Sequence, residues 1–299
     1  STVVYTHGHV DHVGGVGAFL ADAEGRGDPR PTIVAHENAP VRFDRYQLTN
    51  GYNAVINQRQ FGGTLSFPSE FTPPDETFDH ERRLDVGGTE IVLNHDRGET
   101  DDHAWAWVPQ HRAIFAGDLF IWVLPNAGNP QKVQRYAADW AVALRRMIAL
   151  EPEYLLPAHG LPISGAARIA GVLDATASVL EHLLSSTLEL MNSGATLDEV
   201  LRSVRVPEEY SDLPYLRPTY DEPEFVVRNI WRLYGGWYDG SPARLKPPRD
   251  AELALEVARI AGGSAGLAHR AKELADAGEL RVACQLIEWA AAATPEVPF

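Results

Sequence analysis

Thr6-His7-Gly8-His9-Val10-Asp11-His12-Val13-Gly14-Gly15 places three imidazoles and one carboxylate within a six-residue stretch. The run before it, Ser1-Thr2-Val3-Val4-Tyr5, is β-branched and aromatic and reads as a buried strand. The run after it, Gly17 to Ala23, reads as the start of a helix. Strand, turn and helix start are therefore stacked, and side chains on such a turn can converge on one or two cations. Gly8, Gly14 and Gly15 suit the tight path, since glycine accepts backbone angles other residues avoid. A lone histidine is usually solvated or hydrogen-bonded; four potential ligands in an H-x-H-x-D-H pattern point to metal chemistry.

The rest of the chain supports an α/β layer structure. Thr32 to Ala35, Glu90 to Leu93, Ala104 to Val108, Ala113 to Ala116 and Tyr154 to Leu156 read as strands, and Asp139 to Leu150 as an amphipathic helix. Composition changes after His159. From Ala166 to Ser193 and from Asp250 to Ala293, Ala, Leu, Glu and Arg recur at helical spacing, broken by Gly194, Gly262-Gly263 and Gly278. Val206 to Pro223 is rich in Pro and Tyr and is expected as an ordered loop. A boundary near residue 165 divides a catalytic part, 1–165, from a helical part, 166–299.

Bulk properties exclude several functions. The 299 residues carry a formal net charge of −15, which repels phosphate backbones and argues against a nucleic-acid partner. A small anionic substrate then needs a local basic pocket. The single cysteine, Cys284, leaves imidazole and carboxylate as the metal ligands and fits a reducing compartment. No run approaches the roughly 20 apolar residues of a membrane span.

The turn resembles the ligand motif of the metallo-β-lactamase superfamily, matched by His7, His9, Asp11 and His12. The resemblance implies further ligands at later strand ends. Ala116-Gly117-Asp118 is similar to the bridging-carboxylate segment, and Pro157-Ala158-His159-Gly160 to the last histidine. Where most of the superfamily carries Gly-His-Thr, this chain reads Gly98-Glu99-Thr100. Glu99 is taken as the ligand there, ahead of His103 and His95, which are placed behind the ligands to orient them. A glutamate at this position resembles the alkylsulfatase branch. Pro214-Tyr215-Leu216, Tyr220, Arg228 and Tyr234-Gly235-Gly236-Trp237-Tyr238-Asp239-Gly240 resemble its dimerisation domain.

The resemblance implies an αβ/βα sandwich whose first strands precede this chain, followed by an all-α dimerisation domain, so localisation stays open. It implies a hydrolase with two zinc ions per chain, ligated by His7, His9, Asp11, His12, Glu99, Asp118 and His159, with Asp11 and Asp118 also serving catalysis, and a homodimer. The implied substrate is an alkyl sulfate ester, with Asn57, Arg59, Asn129 and Tyr220 as candidate binding residues. Lys132, Arg135 and Asn126 are further polar candidates in the loop from Leu119 to Tyr136, and Trp122 is a candidate wall for the alkyl chain. Asp118 departs from the longer glutamate common among alkylsulfatases, which keeps another ester, a thioester, a lactone or a phosphodiester open as substrate. A di-iron redox protein and an inactive assembly protein are weaker alternatives.

Overall fold

The computed structural model describes residues 1–64 and 66–294. In chain order its elements are β1 (Thr2–Val4), α1 (Val10–Val13), α2 (Val16–Arg26), β2 (Thr32–His36), α3 (Asn38–Leu48), α4 (Asn50–Phe61), β3 (Glu76–Phe78), β4 (Glu81–Val86), β5 (Thr89–His95), β6 (Ala104–Val108) and β7 (Ala113–Gly117). They continue with α5 (Ala137–Ala149), β8 (Tyr154–Pro157), β9 (Ile163–Ser164), α6 (Ala166–Asn192), α7 (Leu197–Ser203), α8 (Glu208–Ser211), α9 (Pro223–Gly235), α10 (Asp250–Ile260), α11 (Ser264–Asp276) and α12 (Leu280–Ala292).

Two sheets form the first compact unit, Ser1–Trp237. The smaller is parallel, β1-β2-β3, with Val3 opposite Ile33 and Val34 opposite Glu76. The larger runs β4 to β9 in order: an antiparallel meander from β4 to β7, a parallel β7-β8 pair across the α5 crossover, and antiparallel β9 at the edge. Val34 and Phe78 of one sheet pack on Leu93 and Ala104 of the other, so the sheets face each other. Tyr5, Val13, Val16, Ala39 and Phe43 seal α1 to α3 onto the outside of the small sheet.

The outside of the large sheet carries the main core. Ile114 and Leu155 meet Trp140, Leu144 and Met147 of α5, and the same cluster continues through Leu173 and Leu180 of α6, Val200 of α7 and Val226 of α9. Each such aliphatic side chain stabilises the fold by roughly 1.5–3 kcal/mol when fully buried. Compact packing therefore runs through residue 165, because the apolar stripe of the 27-residue α6 has α5 as its partner. α7 starts on a capping box, with Thr196 accepting from Glu199 N and Glu199 accepting from Thr196 N. Between α7 and α9, residues 206–223 hold α8 and a short 3-10 turn at Pro214–Leu216.

The second unit, from Tyr238, is built of α10 to α12. Ala258, Leu267 and Ala290 form its centre, with Leu286 and Trp289 against them; small residues let these short helices approach closely. The helical stretch expected from Asp250 to Ala293 holds α10, α11 and α12, and residues 295–299 lie outside the described residues. No helix of the described residues is long and apolar enough to cross a membrane.

Candidate metal centre

The turn after β1 is fixed from behind. Gly8 N donates to Asp102 Oδ2 at 2.8 Å, and Arg42 Nε donates to Asp102 Oδ1 at 2.8 Å. A Cβ on Gly8 would lie 2.8 Å from Arg42 Cδ, so glycine is required there by close approach. None of Gly8, Gly14 and Gly15 has a positive φ, which corrects the sequence argument from backbone angles. His9 then caps α1, whose first turn carries Asp11 and His12.

Three other loops deliver the remaining candidates. Glu99 lies in the turn between β5 and β6, Asp118 follows β7, and His159 follows β8. Gly117 has φ +56°, and a Cβ there would meet the His103 ring at 2.6 Å, so the chain reaches Asp118 only through glycine.

The seven side chains converge in two groups, each with ligand atoms within 4.8 Å of one another: His7, His9, Glu99 and Asp118, and Asp11, His12 and His159. Glu99 Oε2 lies 3.6 Å from His7 Nε2 and 3.4 Å from His9 Nδ1. Asp11 Oδ2 lies 3.4 Å from His12 Nε2 and 3.2 Å from His159 Nε2. Asp118 reaches both groups, with Oδ2 3.8 Å from His7 Nε2 and 3.3 Å from His12 Nε2, and Oδ1 3.6 Å from His159 Nε2. The first group is buried except for the partly exposed His9, whereas the Asp11 and His159 side chains are more than half exposed.

Burial works against charge in this cluster, and the neighbours decide the outcome. Burial opposes charging His12, but the Asp11 and Asp118 carboxylates raise it to about 10; the same contact holds Asp11 down at about 2. Burial and the adjacent His9, His12 and His103 rings hold His7 well below the usual imidazole range. Burial favours protonated Glu99, yet Arg135 and His9 hold it well below the carboxylate range. Burial and the nearby Glu99 charge push Asp118 up. The carboxylates thus call for positive charge at the centre.

The donor set fits a divalent metal. Glu99 Oε2 and Asp118 Oδ1 are buried with no hydrogen-bond partner among the described residues, a costly arrangement unless a cation accepts their lone pairs. Imidazole nitrogens and carboxylate oxygens are the ligands zinc-type ions take in the absence of thiolate.

His103 Nε2 accepts from Asp118 N at 3.0 Å, and its ring stacks on His7 at 4.8 Å. That nitrogen is committed to the backbone. His95 lies a layer further back, its Nδ1 2.9 Å from His103 O and its ring stacked on His36 at 3.6 Å. Asn57 sits on α4, donating to Asn53 O and accepting from Lys132 Nζ at 3.4 Å. Tyr220 lies beside Gln60, and burial with the charge of Glu99 raises its hydroxyl. Asn129 is buried and accepts from Gln131 N at 3.1 Å, closing its own loop; Arg59 is exposed on α4. Trp122 donates from Nε1 to Leu161 O at 2.9 Å, and its ring closes over Gly160.

Sequence reading does not single out Arg42, Asp102 or Asp221. Arg42 and Asp102 meet across 60 residues, and Asp221 accepts from Gly128 N across 93. Glycine at position 8 is the one local sign that something presses on the turn.

A face-to-face αβ/βα sandwich with a histidine and carboxylate cluster at its strand ends defines the class. The metallo-beta-lactamase superfamily model matches residues 1–159, and the chain belongs to that superfamily. The alkyl sulfatase dimerisation model matches residues 196–298. Among curated relatives, a linear primary-alkylsulfatase of Pseudomonas sp. is 27% identical over 87% of this chain and 53% of its own length. The alkyl/aryl-sulfatase of Saccharomyces cerevisiae is 24% identical over 98% of this chain and 49% of its own. The chain therefore spans about half the length of these relatives. The solved inverting sec-alkylsulfatase Pisa1 from Pseudomonas sp. shares the fold, with a TM-score of 0.86 at 24% identity over 99% of this chain and 50% of that one.

Proposed function

We propose that this protein is a hydrolase of alkyl sulfate esters working with two zinc ions per chain. The observation that carries it is the pair of ligand groups sharing Asp118, with partnerless buried carboxylate oxygens between them, in a chain most of whose curated relatives are alkylsulfatases. His7, His9 and Glu99 would hold one ion, Asp11, His12 and His159 the other, and Asp118 both. Such ions lower the pKa of water from about 15.7 toward about 7 and polarise an ester oxygen.

The protein's own groups do the rest. Asp11, on the exposed side, orients the attacking water through a carboxylate oxygen. Lys132 Nζ, tethered by Asn57 Oδ1, and the Tyr220 hydroxyl are donors for the anionic ester oxygens. Burial and Arg135 lower the Lys132 ammonium, so its charge is poorly solvated and favours an anionic partner. The Trp122 ring offers an apolar wall for the alkyl chain. Asn129 and Arg59 would act from the rim. Residues 166–299 would form the dimerisation domain of a homodimer, as the matching model suggests.

The test is sulfate release from a medium-chain primary alkyl sulfate by the full-length protein. Activity that a chelator abolishes and zinc restores is expected. A folded, zinc-loaded protein that releases no sulfate but cleaves a thioester, lactone or phosphodiester would overturn the substrate assignment.

A further inference from the structure

Glu99 meets the cluster through one oxygen. Oε2 faces His7 and His9 and has no hydrogen-bond partner among the described residues. Oε1 is occupied from the other side: Asn126 Nδ2 donates to it, and Arg135 Nη1 lies 3.0 Å away. The same Nη1 donates to the Glu99 backbone carbonyl, so one guanidinium holds both the carboxylate and the main chain of this residue. Arg135 and Asn126 are each 2% exposed. Nε and Nη2 of Arg135 have no hydrogen-bond partner among the described residues, where Glu99 is its one ion-pair partner.

A free carboxylate differs from an imidazole as a ligand in two ways. It brings a negative charge, and it can bind through either oxygen or both. Contact with a buried guanidinium makes the Glu99–Arg135 pair neutral as a unit, although Asp11 and Asp118 already supply negative charge nearby. An amide donor and a guanidinium against Oε1 leave a single oxygen in a single direction. We propose that Arg135 and Asn126 are positioning residues that convert Glu99 into a charge-compensated, one-atom metal ligand, equivalent to a neutral histidine. This rests on reading the cluster as a metal centre with Glu99 among its ligands.

The dependence is reciprocal. Removing Arg135 frees Oε1 and restores the charge, while removing the Glu99 charge strands a buried cation. A histidine at position 99 is therefore tolerated only when position 135 is also made neutral.

The test uses the full chain, freed of metal and titrated with Zn2+ against a chromophoric competitor, with the Co2+ absorption spectrum and metal-free melting temperature as further readouts. Arg135→Gln and Asn126→Ala should weaken Zn2+ binding by about 10–100-fold, the range typical of groups that orient ligands, and should shift the Co2+ bands. Arg135→Lys, which keeps the charge, should recover part of the affinity. Glu99→His should bind Zn2+ poorly, and Glu99→His with Arg135→Met should return to within about tenfold of wild type. Wild-type affinity and an unchanged Co2+ spectrum in Arg135→Gln would overturn the proposal. If Arg135→Gln does not fold, a double variant that binds no better than Glu99→His overturns it equally. Wild type without Zn2+ affinity, or Glu99→Ala retaining it in full, would instead remove the underlying metal reading.

Discussion

Asp102 and Asp221 are both buried, both accept a backbone N–H from a distant glycine, and both hold a loop of the candidate site, yet their carboxyls shift in opposite directions. Asp102 holds the ligand-bearing turn through Gly8, and Asp221 holds the loop of Asn126, Lys132 and Arg135 through Gly128. Burial raises both. Arg42, in contact with Asp102, reverses the effect there and holds it below 3.8. Asp221 has no ion pair among the described residues; its backbone hydrogen bonds and the more distant Arg135 only moderate the rise, to about 6. A similar glycine anchor thus carries opposite pH dependence, with Arg42 the largest of the contributions that lower Asp102.

The signs follow from proton binding. Asp102, depressed in the folded state, stabilises above its unfolded value near 3.8, and that contribution is lost as pH falls through the folded value. Asp221, raised in the folded state, contributes stability that is fully present below about 4 and lost as pH rises through about 6.

Breaking the comparison at Arg42 should have the larger effect. Arg42→Met leaves Asp102 buried without its partner and should cost about 3–5 kcal/mol at neutral pH by denaturant unfolding of the metal-free chain. The loss should shrink on acidification, as Asp102 comes to behave like Asp221. A loss independent of pH would mean that Arg42 acts by packing alone. At Asp221 the effect is smaller. The difference in stability between wild type and Asp221→Asn should change by on the order of 2–3 kcal/mol between about pH 4 and 6, the value of a two-unit shift. A flat difference curve would show that the carboxyl is not raised.

The two anchors also show what a linear reading reaches. The His7 to His12 turn is legible because its ligands are adjacent in sequence, and Asp118 and His159 because each follows an apolar strand. α3 and α4 are not, since Arg, Asn and Gln dominate them and only Ala39, Phe43, Tyr46 and Ile56 are apolar residues on their buried face. Arg42 reads as a surface charge until the fold brings Asp102 to it. Arg135 and Asn126 read as loop residues that hold an anion or merely solvate the loop, and only the fold shows both of them against Glu99. Pairings between distant loops have no local signature, because their energy comes from burial that the fold creates.

We propose that the seven side chains form one site with a largely buried and an open half joined by Asp118. Zn2+ stoichiometry and stepwise affinity of the full chain test it most directly, in wild type, His159→Ala and Asp118→Ala. Two ions in wild type, one in His159→Ala with the tighter affinity retained, and neither held tightly in Asp118→Ala is the predicted result. Fewer than two ions in wild type, or two still held in Asp118→Ala, would contradict it.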